Sequence, residues 1–170
     1  MIYFLIGFMG AGKSTIAKQL SERTDIPSLD LDKLIEQKYG KAVQDLFREE
    51  GEEWFRKAES EVLRTIESES DLVVACGGGT PCFGDNMKWM NEKGETWYLR
   101  LSVGELLRRL DPEQISSRPL MKGLRPEEIK RVLEEMLISR ERYYLQATRV
   151  ISEENCHARY LERYLKPEIR

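Results

Sequence analysis

The stretch Gly7-Phe8-Met9-Gly10-Ala11-Gly12-Lys13-Ser14-Thr15 constrains this chain more than any other. It fits the pattern G-x-x-x-x-G-K-[ST] without a mismatch. The apolar run Ile2-Tyr3-Phe4-Leu5-Ile6 before it reads as a buried strand. After it, the spacing predicts a helix from Lys13 to about Glu22 with Ile16, Ala17 and Leu20 facing inward. Strand, glycine loop and helix together are the context of a phosphate-binding loop. The glycines bring backbone N–H groups close to an anion, and the helix turns its positive end toward it. Gly10, Ala11, Gly12, Lys13, Ser14 and Thr15 are therefore candidate nucleotide contacts, with the Lys13 charge near the β/γ bridge and Ser14 as a candidate Mg²⁺ ligand.

The length of 170 residues suits one well-buried α/β domain, 1–170. Basic residues number 27 and acidic ones 30, so the net charge of −3 and the lack of a long basic run argue against nucleic acid as a partner. The positive charge that phosphate needs must then be local. The first residues read as a core strand rather than a signal peptide, and no apolar run is long enough to span a membrane. Cys76, Cys82 and Cys156 lack metal-like spacing and read as thiols in a reducing cytosol, so a cytoplasmic location is expected.

Further along, Pro27-Ser28-Leu29 leads to Asp30-Leu31-Asp32. If the strand persists, alternation would aim both carboxylates to one side, at the carboxyl end where such sheets bind ligands. The alternative is that one of them caps the helix expected from about Lys33 to Tyr39, which Gly40 stops. A short helix from Val43 to Glu50 ends at Gly51, and another runs from Glu52 to about Ile66 with Phe55, Val62, Leu63 and Ile66 inward. Arg56 and Glu59 share a face of it. The buried strand Leu72-Val73-Val74-Ala75 runs into Cys76-Gly77-Gly78-Gly79, with no acid at its end, so metal support falls to Asp30 or Asp32. A helix from Phe83 to Lys93, a strand from Thr96 to Leu101 and a helix from Val103 to Leu110 follow. Residues 111–125 break the periodicity and carry Arg118, Lys122 and Arg125, which suggests a mobile lid over the nucleotide. A long helix from Pro126 to about Leu145, a strand over Thr148-Arg149-Val150-Ile151 and a terminal helix from Asn155 or Cys156 complete the chain, with Leu161 and Leu165 inward. Five strands alternating with helices predict a three-layer αβα sandwich around a parallel sheet.

A phosphate loop alone leaves three classes open: a small-molecule kinase, a hydrolysing switch, or a binding module without chemistry. No N-K-x-D element is present and no acid follows the second buried strand, which disfavours the switch. The paired aspartates, the triple glycine, the lid-like segment and the scattered arginines favour the kinase.

On these residues the chain resembles the shikimate kinase family, in the nucleoside-monophosphate-kinase-like branch of P-loop proteins. The resemblance rests on the glycine loop, on Asp30-Leu31-Asp32, on Gly51-Glu52-Glu53-Trp54-Phe55-Arg56 with Glu59, on Gly77-Gly78-Gly79 and on Arg118-Pro119-Leu120. Arg140 with Tyr143 or Tyr144 resembles the family's R-x-x-x-Y. The resemblance implies transfer of phosphate from ATP to the 3-hydroxyl of shikimate, by a monomer, with Mg²⁺. It implies that Arg56 and Arg140 bind the substrate carboxylate, and that Asp32 holds the hydroxyls and helps remove a proton. Gly77, Gly78 and Gly79 would line the substrate, Glu59 would orient Arg56, and Phe47 and Phe55 would form an apolar wall. Substrate contacts would thus cluster in about 30–62. Lys13 and Arg118 would act on the phosphates, Arg109 against adenine, and Ser14 with Asp30 at the metal. Two positions depart from the family pattern. Ala75 stands where a serine is common, and His157 lies where a proline often packs on adenine, although a helix-start role fits it equally. A gluconate-type kinase is the alternative within the same branch, since a sugar acid also carries a carboxylate and hydroxyls.

Overall fold

The computed structural model describes residues 1–110, 115 and 121–165. Five strands form one sheet: β1 (Ile2–Ile6), β2 (Ser28–Asp30), β3 (Leu72–Ala75), β4 (Gly94–Leu99) and β5 (Arg149–Ile151). Their order is β2-β3-β1-β4-β5, and every adjacent pair is parallel. β1 sits at the centre, with Ile2 opposite Leu72 on one side and Gly94 on the other. All five of its residues are buried, as a strand covered on both faces requires. The Tyr3 and Trp97 rings meet across the β1–β4 pair at 5.0 Å.

The connecting helices are α1 (Lys13–Thr24), α2 (Leu31–Tyr39), α3 (Val43–Glu50), α4 (Glu52–Arg64), α5 (Asn86–Lys93), α6 (Val103–Arg109), α7 (Pro126–Tyr144) and the single turn α8 (Ala158–Leu161). Ile16, Ala17 and Leu20 of α1 and Phe55, Val62 and Leu63 of α4 are buried, so the apolar spacing marks the inner face of both. The three-layer α/β class expected from the alternation of elements is the one observed.

Several boundaries differ from the sequence expectation, and β4 also ends at Leu99 rather than Leu101. β2 stops at Asp30, whose side chain accepts from the backbone N–H of Asp32 at 3.0 Å and Lys33 at 3.4 Å. Capping wins over strand continuation, so Asp32 stands in the first helical turn and not in a two-residue alternation. The segment after the triple glycine folds first as a 3₁₀ turn over Thr80–Cys82, and α5 starts only at Asn86. β4 begins at Gly94, two residues early, because Gly94 lies directly against the Ile2 carbonyl where no Cβ fits. The terminal helix is broken into 3₁₀ turns at Glu153–Asn155 and Glu162–Tyr164 around α8, while Leu161 and Leu165 remain buried.

Candidate active site

The glycine loop connects β1 to α1 at the carboxyl edge of the sheet. Gly12, directly before α1, adopts φ 87°, a left-handed conformation that costs a side-chain-bearing residue energy. Lys13 folds back so that its buried Nζ donates to the carbonyls of Gly7 and Phe8, each at 2.8 Å. Burial lowers its pKa to about 8, against the nearby Asp32 carboxylate, which favours the charged form. Ser14 and Thr15 are exposed in the first turn of α1. From α6, Arg109 donates to the Ala11 carbonyl at 3.4 Å and is held by Glu105 at 2.6 Å. One arginine thus lies against the loop.

Asp32 faces the loop from α2. Burial raises its carboxyl to about 6, helped by the negative charges of Asp30 and Glu59 and opposed by Lys13. The glycine turn after β3 is the meeting point of the other groups. A Cβ on Gly77 would stand 2.8 Å from Glu59 Oε1, 3.1 Å from Thr80 Oγ1 and 3.4 Å from Asp32 Oδ1. A Cβ on Gly79 would overlap the Arg56 guanidinium, and one on Gly78 would lie 3.5 Å from Arg140 Nη1. The three glycines are therefore explained by close approach: side chains from α2, α4 and α7 all press against bare backbone.

Arg56 and Glu59, one turn apart on α4, form an ion pair at 2.7 Å. Glu59 is only 1% exposed, and its other oxygen accepts from Thr80 Oγ1 at 2.6 Å. Fully buried Asn86 continues the network, donating to the Thr80 carbonyl at 3.0 Å and accepting from Ser60 and Arg64 at 2.7 Å each. The Arg56 guanidinium lies over the Phe47 and Phe55 rings, at 5.3 and 5.5 Å, and those rings are 4.2 Å apart. On α7, Arg140 lies 5.6 Å from the Phe8 ring of the glycine loop, and Tyr144 donates to the Gly78 carbonyl at 2.5 Å. Tyr144 is the buried member of the tyrosine pair, whereas the Tyr143 hydroxyl accepts from Arg142 near the surface. Thr80, Asn86 and Tyr144 are the participants that sequence reasoning undervalued. Thr80 could have been noticed as the first side chain after three glycines, but nothing local marks Asn86.

A family model described as "Shikimate kinase" matches residues 9–166. The chain belongs to the shikimate kinase family. A shikimate kinase of Parabacteroides distasonis is 43% identical over 145 residues, 85% of this chain and 83% of that protein. The crystal structure of shikimate kinase from Bacteroides thetaiotaomicron superposes with a TM-score of 0.83 at 34% identity, covering 96% of this chain and 93% of that one. Shikimate kinase from Acinetobacter baumannii, in complex with shikimate, superposes at 0.82 with 33% identity, covering 96% and 89%. The shikimate kinase fold is thus that of this chain, and the chain is a kinase of the P-loop type.

Some expected residues lie outside the described ones or hold the fold together. Arg118, with Pro119 and Leu120, lies outside the described residues, as do residues 111–114 and 116–117 of the expected lid. His157 takes the helix-start position, its Nδ1 accepting from the Tyr160 N–H at 3.1 Å ahead of α8. Cys76, at the place where an acid often stands, is buried, and burial pushes its thiol well up, so it is neutral. Among the described residues no group of three or more His, Cys, Asp or Glu could hold a metal ion by itself. Ser14 and Asp30 alone would offer few donors, a set suited to a hard cation that keeps its waters and is carried mainly by substrate phosphates. No helix among the described residues is long and apolar enough to cross a membrane.

Proposed function

We propose that this kinase transfers the γ-phosphoryl group of ATP to the 3-hydroxyl of shikimate, acting as a cytoplasmic monomer with Mg²⁺. The observation that carries the reading is the convergence on one glycine turn of two guanidinium groups, Arg56 and Arg140, and one carboxylate, Asp32, beside the Lys13 loop. A carboxylated polyol has the complementary groups: an anion for the two arginines, whose forked donors match a carboxylate, and hydroxyls for Asp32.

In this mechanism the 3-hydroxyl oxygen attacks the γ-phosphorus while the bond to the bridging oxygen of ADP breaks. The hydroxyl proton passes to Asp32, which is ionised above about pH 6. Lys13 leaves the Gly7 and Phe8 carbonyls and meets the β/γ oxygens. The N–H groups around Gly10, Ala11 and Gly12 receive the phosphates, with Thr15 beside them. Arg109 covers adenine, and Arg118 of the lid neutralises charge on the transferring group. A bound Mg²⁺, held by Ser14 and through water by Asp30, would supply charge neutralisation at the phosphates. Glu59 fixes Arg56, while Phe47 and Phe55 support the carbon ring. Phosphoryl transfer asks mainly for position and charge, and the loss of one such contact typically removes about a hundredfold in rate.

The test is ADP release, followed by a coupled assay against shikimate, gluconate and nucleoside monophosphates. Release dependent on shikimate alone supports the proposal. Release driven by gluconate instead would transfer the arginine argument to a sugar acid, and no acceptor-dependent release would leave a nucleotide-binding module.

A further inference from the structure

The glycine turn has its acceptors and donors divided. The Gly77 carbonyl accepts from the Thr80 N–H at 3.1 Å, that of Gly79 from the Cys82 N–H at 3.0 Å, and that of Thr80 from Asn86 at 3.0 Å. The remaining carbonyl, of Gly78, accepts from the Tyr144 hydroxyl at 2.5 Å. Among the described residues the N–H groups of Gly78 and Gly79 donate to no partner. A turn whose carbonyls are all held and whose N–H groups are spare is prepared for an oxygen ligand.

The Tyr144 contact is unlike the other three because it comes from 66 residues further along the chain. Tyr144 is fully buried, with its ring packed at a tilt against Tyr98 at 5.0 Å, which restricts the swing of the hydroxyl. It stands one helical turn beyond Arg140 on α7, which brings both side chains to the same glycine. All described peptides are trans, so the Gly78 carbonyl and the Gly79 N–H point in opposite directions. Holding the carbonyl toward α7 therefore turns the Gly79 N–H away from that helix, while the Arg56 guanidinium stands where a Cβ on Gly79 would be. Glycine imposes little barrier of its own to rotation of this peptide, so an external tether is required.

We infer that Tyr144 is a positioning residue: its hydroxyl fixes the Gly78–Gly79 peptide and thereby aims the Gly79 N–H at the oxygen of a carboxylated polyol acceptor. This rests on the acceptor reading proposed above. α7 then supplies two things to the acceptor, the Arg140 charge directly and the Gly79 donor through Tyr144.

Tyr144→Phe removes one hydroxyl and keeps the ring on Tyr98. The variant is expected to raise the shikimate KM by about tenfold, with the ATP KM within about twofold of the parent, as loss of one buried hydrogen bond implies. Tyr143→Phe, one residue away at the surface, is expected to match the parent. An unchanged shikimate KM in Tyr144→Phe, or equal rises for both substrates, would overturn the inference. A second measurement needs no variant: in ¹⁵N-labelled parent protein, the Gly79 amide resonance should move on titration with shikimate. An unmoved Gly79 resonance in a protein that does phosphorylate shikimate contradicts the role of Tyr144 alone. A parent protein without shikimate-dependent ADP release contradicts the acceptor reading itself.

Discussion

Asp32 and Lys13 are pushed toward each other's range by the same burial, the carboxyl up to about 6 and the ammonium down to about 8. Below about pH 6 Asp32 is neutral and cannot take the hydroxyl proton, and above about pH 8 Lys13 has lost its charge. Measured with ATP well below its KM, so that it reports the free enzyme, the shikimate kcat/KM should therefore fall on both sides of a maximum near neutrality, and initial rates across pH 5–9 check this. Asp32→Asn should abolish transfer and leave ATP binding intact by calorimetry; an active variant would remove Asp32 from the chemistry. Thr80 poses a subtler question, because it touches Glu59 and not the expected substrate position. Thr80→Val leaves Glu59 Oε1 without its donor and should raise the shikimate KM about tenfold, with Thr80→Ser restoring it. Equal KM values for Val and parent would make the Thr80 hydroxyl dispensable. Of these residues, Lys13 was legible from its motif, and Arg56 with Glu59 from helical spacing. The place of Thr80 after three glycines was visible, but its link to Glu59, 21 residues away, was not, nor was that of Asn86 to Ser60, 26 residues away.

The junction of β2 and α2 shows how an element boundary decides a role. Period-two alternation held for one residue only, because Asp30 makes two backbone hydrogen bonds as a cap and the helix begins at once. The two aspartates are thus separated in position by local structure, Asp30 at the helix start and Asp32 inside it. Asparagine caps as well as aspartate does, whereas alanine costs about 1 kcal/mol. Asp30→Asn should therefore melt with the parent and Asp30→Ala a few degrees lower by calorimetry. If the Asp30 charge reaches Mg²⁺ through water, Asp30→Asn also needs more Mg²⁺ for half its maximal rate. An unchanged Mg²⁺ requirement would leave Asp30 as a cap and nothing more. The late start of α5 has a similar cause: Gly84, at φ 52°, follows the 3₁₀ turn, so the chain cannot run straight from Phe83 into a helix.

At the scale of the whole molecule, the strand order β2-β3-β1-β4-β5 places β1 and β3 side by side. The glycine loop after β1 and the glycine turn after β3 are brought together by that adjacency: a Cβ on Gly78 would stand 3.5 Å from both the Gly7 carbonyl and the Met9 N–H. The two glycine segments are neighbours because their strands pair. The class of fold was readable, because alternation of strands and helices leaves few parallel arrangements. Strand order was not, since it depends on which apolar faces meet. Element ends slipped where single contacts such as Gly94 against Ile2 decide them. Arg118 belongs to the part of the account outside the described residues. The central claim is that the two glycine segments form one two-substrate site, with the phosphoryl group crossing between them. It is tested most directly by ³¹P and proton NMR of the products from ATP and shikimate. The account predicts equal amounts of ADP and a shikimate ester whose phosphorus couples to the ring proton at carbon 3. Free orthophosphate with unchanged shikimate, or an ester at another hydroxyl, would contradict it.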